Sequence, residues 1–577
     1  MLKDSFKATG AGIDKTVAPP ETISRVKDRL KLFDFPILKS VERIDKGRLG
    51  IPVYVSRYTP EASHITGTQK QMGKGASPYQ AEASAIMELM ERFSIFSFTR
   101  GNAALRPTSL ANIPPDEALP VKEMLKAVHA NENAADEYKA LVGIISSMMP
   151  FKWVRAYGLR DNREFLLPWS WFWPINEYNG SAAGNSFEEA AIQAICEVVE
   201  RHVCSIITRD RLVTPTIDPE SLRHPVAIDL VARFKRLGIN LVLKDFSLKT
   251  GVPTVGAIAW DPSTLPMRSE IVYTAGTSPD PERAAIRAIT EVAQLAGDFD
   301  TEGRYVESGL PKFSTLEEAG YVLKTPSIVA INTLPDCSSE NFRAEIEKTT
   351  DALERSDLNT YLVNVTHPDL GIPTAYAIIP GNHFRDRTLN IDPVFHCARI
   401  AALYEDAASG LSILKAIDQC NAGRYDIAFY TGYLSEKAGR YMDALGWYDE
   451  ALRRKPEPGE LASIYCHKGF CLKETGDIKG ALRELELSRG LNPDLKETYN
   501  LLGVCYYRMD DHVKAIEAFE RSIAIDPGSA IDYANIGKNL ELLGMRQTAV
   551  SWYKMALELD PSIAWARGHL EAIDTAG

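Results

Sequence analysis

From about residue 425 onward, Gly432, Gly469, Gly503 and Gly537 recur together with Ala444, Ala481, Ala515 and Ala549, and with Pro456, Pro493, Pro527 and Pro561. Each set is spaced by 37, 34 and 34 residues, and a large apolar side chain (Tyr448, Leu485, Phe519 or Tyr553) stands four positions after each Ala. Small residues let paired helices cross closely, and a Pro, with no N–H to donate, ends the second helix of each pair. The chain must therefore end in a stack of about four helical pairs over residues 425–577, closed by a terminal capping helix. The three extra residues of the first interval fall around Pro456, Glu457, Pro458 and Gly459, a loop able to absorb them. Stacked pairs leave a concave groove that suits a docked peptide or protein partner. A helical spacer or a dimerisation element is the plainer alternative.

The remaining sequence is too long for a single core. At 577 residues, with 45% apolar and 25% charged content, the length points to about three or four domain-sized units. A net charge of −12 argues against nucleic acid as the main ligand, since phosphate backbones need clustered Lys and Arg. No apolar run approaches the roughly 18 to 20 residues that span a bilayer, and the first residues lack a signal-peptide layout. A cytoplasmic protein with no membrane partner is expected. The eight Cys contain no C-x-x-C and the ten His no H-E-x-x-H, so reduced thiols are expected, with no transition-metal site. Cys196 and Cys204 read as packing residues.

The first 390 residues repeat more subtly. Gly50-Ile51-Pro52, Gly251-Val252-Pro253 and Gly371-Ile372-Pro373 each open a β-type run, the last two preceded by a second such run, which predicts strand–turn–strand hairpins. Three helical stretches share one polar register: Ser84, Glu88, Glu91, Arg92; Gln193, Glu197, Glu200, Arg201; and Arg287, Glu291, Gln294. Positions i, i+4 and i+7 fall on one helical face. Apolar residues flank each stripe, so the three faces read as enclosed by core. Each follows a Gly-containing stretch read as a loop: Gly73-Lys74-Gly75, Gly184-Asn185-Ser186 and Gly276-Thr277-Ser278. Trp169, Trp171 and Trp173 alternate as in a strand with one aromatic face, a core or subunit-interface element.

Taken singly, E-x-x-E-R is an ion-paired stretch of exposed helix. Three copies in register suggest chemistry instead. Glu88, Glu91, Glu197 and Glu200 would repel one another if brought together without a cation, and Mg²⁺, a hard ion that accepts carboxylates, waters and phosphates, fits between them. Arg287, Arg92, Arg201 and Lys74 could then neutralise phosphate oxygens. No P-loop is present, so this is not a Walker-type ATPase.

At these residues the sequence resembles the YcaO family from about Lys15 to Gly381. The likeness is carried by K-T-V-A-P-P-E-T-I-S-R-V, L-G-I-P-V, G-K-G-A-S-P-Y-Q-A-E-A-S-A-I-M-E-L-M-E-R, E-A-A-I-Q-A-I-C-E-V-V-E-R and G-I-P-T-A-Y-A-I-I-P-G. The C-terminal array resembles tetratricopeptide repeats. The resemblance implies an α+β fold of repeated hairpin-plus-helix units around an ATP site over residues 1–390, a connecting helical segment over 391–424, and an all-α solenoid over 425–577. It places Glu88, Glu91, Glu197 and Glu200 at metal positions, with Lys15, Lys74, Ser84, Glu189, Gln193, Arg201, Arg287 and Glu291 at the ATP, and leaves the catalytic residue unassigned. ATP and Mg²⁺ are the implied cofactors. The implied reaction is activation of a peptide or protein amide for a sulfur, oxygen or nitrogen nucleophile, giving a thioamide, azoline or amidine. An ATP-binding accessory or scaffold protein, for instance in sulfur modification of a ribosomal protein, is the alternative, and a homodimer is left open. The ending A-I-D-T-A-G lacks the proline-rich tail of azoline-forming relatives, which lowers the expectation of a standard cyclodehydratase. No leader-binding domain is recognisable, so a substrate-presenting partner is expected on the repeat groove.

Overall fold

The computed structural model describes residues 2–8, 14–66, 71–101, 106–130, 135–300, 310–384 and 392–576. The chain divides into two compact units, residues 1–131 with 150–392, and residues 132–149 with 393–577. The boundary expected between 390 and 391 lies outside the described residues.

The first unit is α+β and carries one structural phrase three times: a hairpin, an antiparallel edge strand, a tight turn, and a long helix laid across the sheet. Leu38–Arg43 and Val53–Tyr58 form one hairpin, with Gln71–Lys74 as the edge strand leading into the helix Pro78–Gly101. Asn240–Asp245 and Thr254–Trp260 form another, whose edge strand Val272–Thr277 leads into Pro281–Ala296. The third is assembled out of chain order. Tyr361–Asn364 and Thr374–Ile378 form the hairpin, Thr374–Ile378 pairs with the edge strand Ser181–Ala183, and that strand leads into Phe187–Asp210, a helix that ends about 150 residues before its hairpin begins.

The Gly-x-Pro signals mark equivalent turns. Gly50, Gly251 and Gly371 hold φ of 64°, 72° and 60°, a conformation open to Gly without a Cβ penalty. Each Pro falls immediately before its strand and not at the first strand residue. Helix starts follow local chemistry: Ser186 Oγ accepts from Glu189 N at 3.1 Å, and Asp280 caps Glu282 N with Pro281 in the first turn.

Two sequence expectations are corrected. Gly73 and Gly276 lie within edge strands, not loops. A Cβ on Gly276 would stand 2.5 Å from Ala284 O and Ala288 N, and one on Gly73 would collide with Ala81 and Ala85. These glycines let each helix lie directly on its strand. The Trp-rich stretch is a helix, Trp169–Asn176, not a strand. Trp169 and Trp173, one turn apart, stack at 5.3 Å, and Trp171 is fully buried on the other side of the helix; only the i, i+4 pair shares a face in a strand and in a helix alike. Apolar flanks of the three long helices, such as Ile86, Leu89, Ile195, Val198, Ile289 and Val292, form the cores beneath the sheets.

The second unit is all-α. Four helical pairs run from Tyr425–Lys437 with Tyr441–Arg453 to Ala530–Leu542 with Arg546–Leu559, followed by Ala564–Ala576. Each Gly of the repeat faces the large residue of its own pair: a Cβ at Gly469 would stand 2.6 Å from Leu485, and one at Gly503 2.7 Å from Phe519. Pro458–Glu460 makes a one-turn helix within the expected extra loop. The helices Pro393–Ala402 and Ala407–Cys420 precede the array, and the helix Ala135–Ser147 packs against both. Among the described residues no helix is long and apolar enough to cross a membrane. Of the eight free cysteines all but Cys420 are buried.

Candidate functional site

The polar stripes of the three long helices converge on one cavity of about 460 Å³ in the first unit. All twelve residues expected at the site line it: Lys15, Lys74, Ser84, Glu88, Glu91, Glu189, Gln193, Glu197, Glu200, Arg201, Arg287 and Glu291. A helical period fixes which residues share a face. The placement of each helix on its edge strand then turns that face inward.

Backbone and side-chain donors of the edge strands, and of the turn that enters one of them, hold the carboxylates. Glu88 accepts from Met72 N at 3.0 Å, Glu197 from Gly180 N at 3.1 Å and Glu200 from Thr277 N at 2.9 Å. Glu91 accepts from Ser181 Oγ at 2.7 Å. Cations are threaded between them. Arg92 lies 3.3 Å from Glu91 and 3.8 Å from Glu88, Arg201 lies 3.8 Å from Glu197, and Lys74 pairs with Glu291. Arg287 donates to Gln193 at 2.9 Å. The i, i+4 pairs of the plainer sequence reading are thus present, but inside a cavity and not on an exposed face.

At the other end, Glu189 is a hub. It accepts from Thr16 N and Oγ1 at 2.9 Å and from Asn185 Nδ2 at 3.1 Å, and Lys15 Nζ stands 3.6 Å away. Asn185, Asp14, Arg283 and Glu345 also line the cavity; sequence reasoning did not single out any of them as site residues. Only Asn185, inside the G-N-S stretch that caps the second helix, carried a local signal.

Two carboxyls are poised by their surroundings. Burial, opposed by Arg92 and reinforced by Glu197 and Glu88, pushes Glu91 up to about 8. Burial and the neighbouring Glu291 push Glu200 up to about 7. Burial likewise raises Glu88. Such shifts mark charges crowded together in a poorly solvated space.

The donor set fits Mg²⁺ with a polyphosphate. Oxygen ligands of the kind a hard cation takes face basic groups with spare donors: Arg92 Nη1, Arg201 Nε and Arg287 Nε are buried without a hydrogen bond. Among the described residues no three His, Cys, Asp or Glu side chains form a metal cage by themselves. Cys196 also lines the cavity, and burial raises its thiol, as for a packing residue and not a nucleophile.

Comparison with known proteins agrees with this arrangement. Residues 72–383 match the family described as YcaO cyclodehydratase, ATP- and Mg²⁺-binding, and residues 497–529 match a tetratricopeptide repeat. An uncharacterised protein of Methanothermobacter thermautotrophicus is 28% identical over 392 residues, covering 64% of this chain and 94% of its own length. The Escherichia coli ribosomal protein S12 methylthiotransferase accessory factor YcaO is 22% identical over 54% of this chain and 56% of its own length. A solved heterocyclase in complex with substrate and cofactor shares the fold, with a TM-score of 0.53 and 20% identity over 67% of this chain and 54% of that one. The chain spans about half the length of these last two proteins. With more than half of its residues matched, the chain belongs to the YcaO family, whose members bind ATP and Mg²⁺, and it carries tetratricopeptide repeats after the YcaO domain.

Proposed function

We propose that this protein uses Mg-ATP to activate a backbone amide of a peptide or protein. The observation that carries the proposal is the meeting, in one cavity, of carboxylates from three helices with three half-buried Arg side chains, each with a buried nitrogen that makes no hydrogen bond. In this reading Glu88, Glu91, Glu197 and Glu200 hold Mg²⁺. Lys74, Arg201 and Arg287 neutralise phosphate oxygens, while Lys15, Ser84, Glu189 and Gln193 orient the nucleotide. Bound Mg-ATP supplies the phosphoryl group that makes the amide oxygen a leaving group once a sulfur, oxygen or nitrogen nucleophile has added to the carbonyl carbon. The product is then a thioamide, azoline or amidine. The residues act by positioning and charge neutralisation, which is the main demand of phosphoryl transfer. The repeat array presents a protein partner or the substrate itself in its groove.

A second reading follows from the relative named as an accessory factor: the domain keeps ATP as a ligand and the array acts as scaffold. Phosphate release from Mg-ATP with candidate peptides separates the two. Turnover by the wild type that falls about a hundredfold or more in Glu197→Gln and Glu88→Ala, with ATP-independent folding retained, supports the enzyme. Binding of ATP with no turnover under any condition supports the scaffold.

A further inference from the structure

We infer that the turn 177–181 is the positioning element of the site, with Ser181 and Tyr178 as its working side chains; this rests on the reading of the cavity as a Mg-ATP site. The turn joins the helix Trp169–Asn176 to the edge strand Ser181–Ala183. Within five residues it reaches two of the three long helices. Gly180 N donates to Glu197 on the second helix at 3.1 Å, and Ser181 Oγ donates to Glu91 on the first at 2.7 Å. The ring of Tyr178 lies under the Arg92 guanidinium at 4.2 Å.

The turn is itself tightly fixed. Glu177 holds φ 48° and ψ −124°, and Gly180 holds φ 89°, where a Cβ would stand 2.6 Å from Ala377 O and 2.7 Å from Val198. Tyr376 Oη donates to Glu177 O at 2.6 Å, and Ala377 N donates to Gly180 O at 2.8 Å. A left-handed non-Gly residue held in place by its surroundings is a form of local order that sites use.

The physical need is clear. Once ionised, Glu91 and Glu197 repel each other, and without a donor on each they would splay apart unless a cation lay between them. Two donors one residue apart on the same turn hold both carboxylates facing the cavity. The Tyr178 ring constrains Arg92 by cation–π stacking, which uses none of its N–H groups. Arg92 Nη1 is buried without a hydrogen bond and stands 3.3 Å from Glu91, so a cation taken by Glu91 would leave it to an anionic ligand. Tyr178 acts through Arg92, and Ser181 through Glu91.

The test uses the full chain, Mg²⁺ and the β,γ-methylene analogue of ATP, with binding followed by calorimetry. Ser181→Ala is expected to raise the half-saturating Mg²⁺ concentration about tenfold, the range for a hydrogen bond to a charged group. Tyr178→Leu is expected to weaken analogue binding about tenfold, and Tyr178→Phe to restore it to within about twofold of the wild type, because the ring and not the hydroxyl supports Arg92. Equal binding by wild type and Tyr178→Leu, or a Tyr178→Phe as weak as Tyr178→Leu, overturns the inference. If Tyr178→Leu fails to fold, an unchanged Mg²⁺ requirement in Ser181→Ala overturns it. A wild type that does not bind the Mg-analogue at all sinks the nucleotide reading together with this one, whereas wild-type binding with indifferent variants sinks this one alone.

Discussion

The carboxyls of Glu91 and Glu200 sit at about 8 and about 7, well above their ordinary value of 4.5, first because they are buried and then because like charges stand beside them. A carboxyl whose pKa is raised by folding binds more protons in the folded than in the unfolded state. Below about pH 4.5 both states are protonated and the groups are neutral to stability; as pH rises from there to about 8 the folded state must give up protons it prefers to keep, and stability falls. The ligand-free protein should therefore lose thermal midpoint between about pH 5 and pH 8.5, and a Glu91→Gln, Glu200→Gln double variant should flatten that slope. The same groups must ionise to hold a cation. Binding of Mg²⁺ with the ATP analogue near pH 7 should release protons, seen as a calorimetric heat that depends on the ionisation enthalpy of the buffer. A binding heat that does not depend on the buffer would count against ionisation of these carboxyls on binding.

At the scale of elements, close approach of helix to strand and of helix to helix is decided by single residues. Gly276 lies under the backbone of its helix, and a Cβ there would stand 2.5 Å from Ala284 O and Ala288 N. Gly276→Ala should destabilise the first unit by about 1 to 3 kcal/mol, since the neighbouring atoms are backbone and cannot rotate away. In the array, Phe519 fills the space that Gly503 leaves and is 1% exposed. Phe519→Ala should cost about 3 to 5 kcal/mol through the cavity it opens. Denaturant unfolding followed by circular dichroism checks both, and the second change should be confined to the helical array. The 34-residue period was enough to place the four pairs, because each Gly, large residue and Pro acts within its own hairpin. The Trp-rich helix was not legible in the same way: Trp169 and Trp173 share a face in a strand and in a helix alike, and Trp171 is buried although it stands on the opposite side of the helix.

For the whole molecule, chain order and spatial order part company twice. The hairpin Tyr361–Asn364 with Thr374–Ile378 completes the sheet that carries the second site helix. The helix Ala135–Ser147 joins the helices before the repeat array, with Leu141, Ile144 and Ile145 buried. Ile145→Ala should weaken the second unit by about 2 to 5 kcal/mol, although it lies far from the repeats in sequence. Hydrogen exchange should quicken in Pro393–Ala402 and Ala407–Cys420, and an unchanged rate there would count against the packing described. What the sequence alone determined is whatever repeats with a local period: the helical pairs of the array and the three polar stripes, whereas Lys15 and Glu189 came from the family resemblance alone. A period fixes a face, and enclosing apolar residues tell that the face is inward. The tertiary structure decided which hairpin serves which helix and that Gly73 and Gly276 are strand residues beneath helices. It also decided that the donors holding the acids are Met72 N, Gly180 N and Thr277 N. Every residue except Pro carries the same backbone N–H, so its role is set by where the chain passes and leaves no mark in residue type.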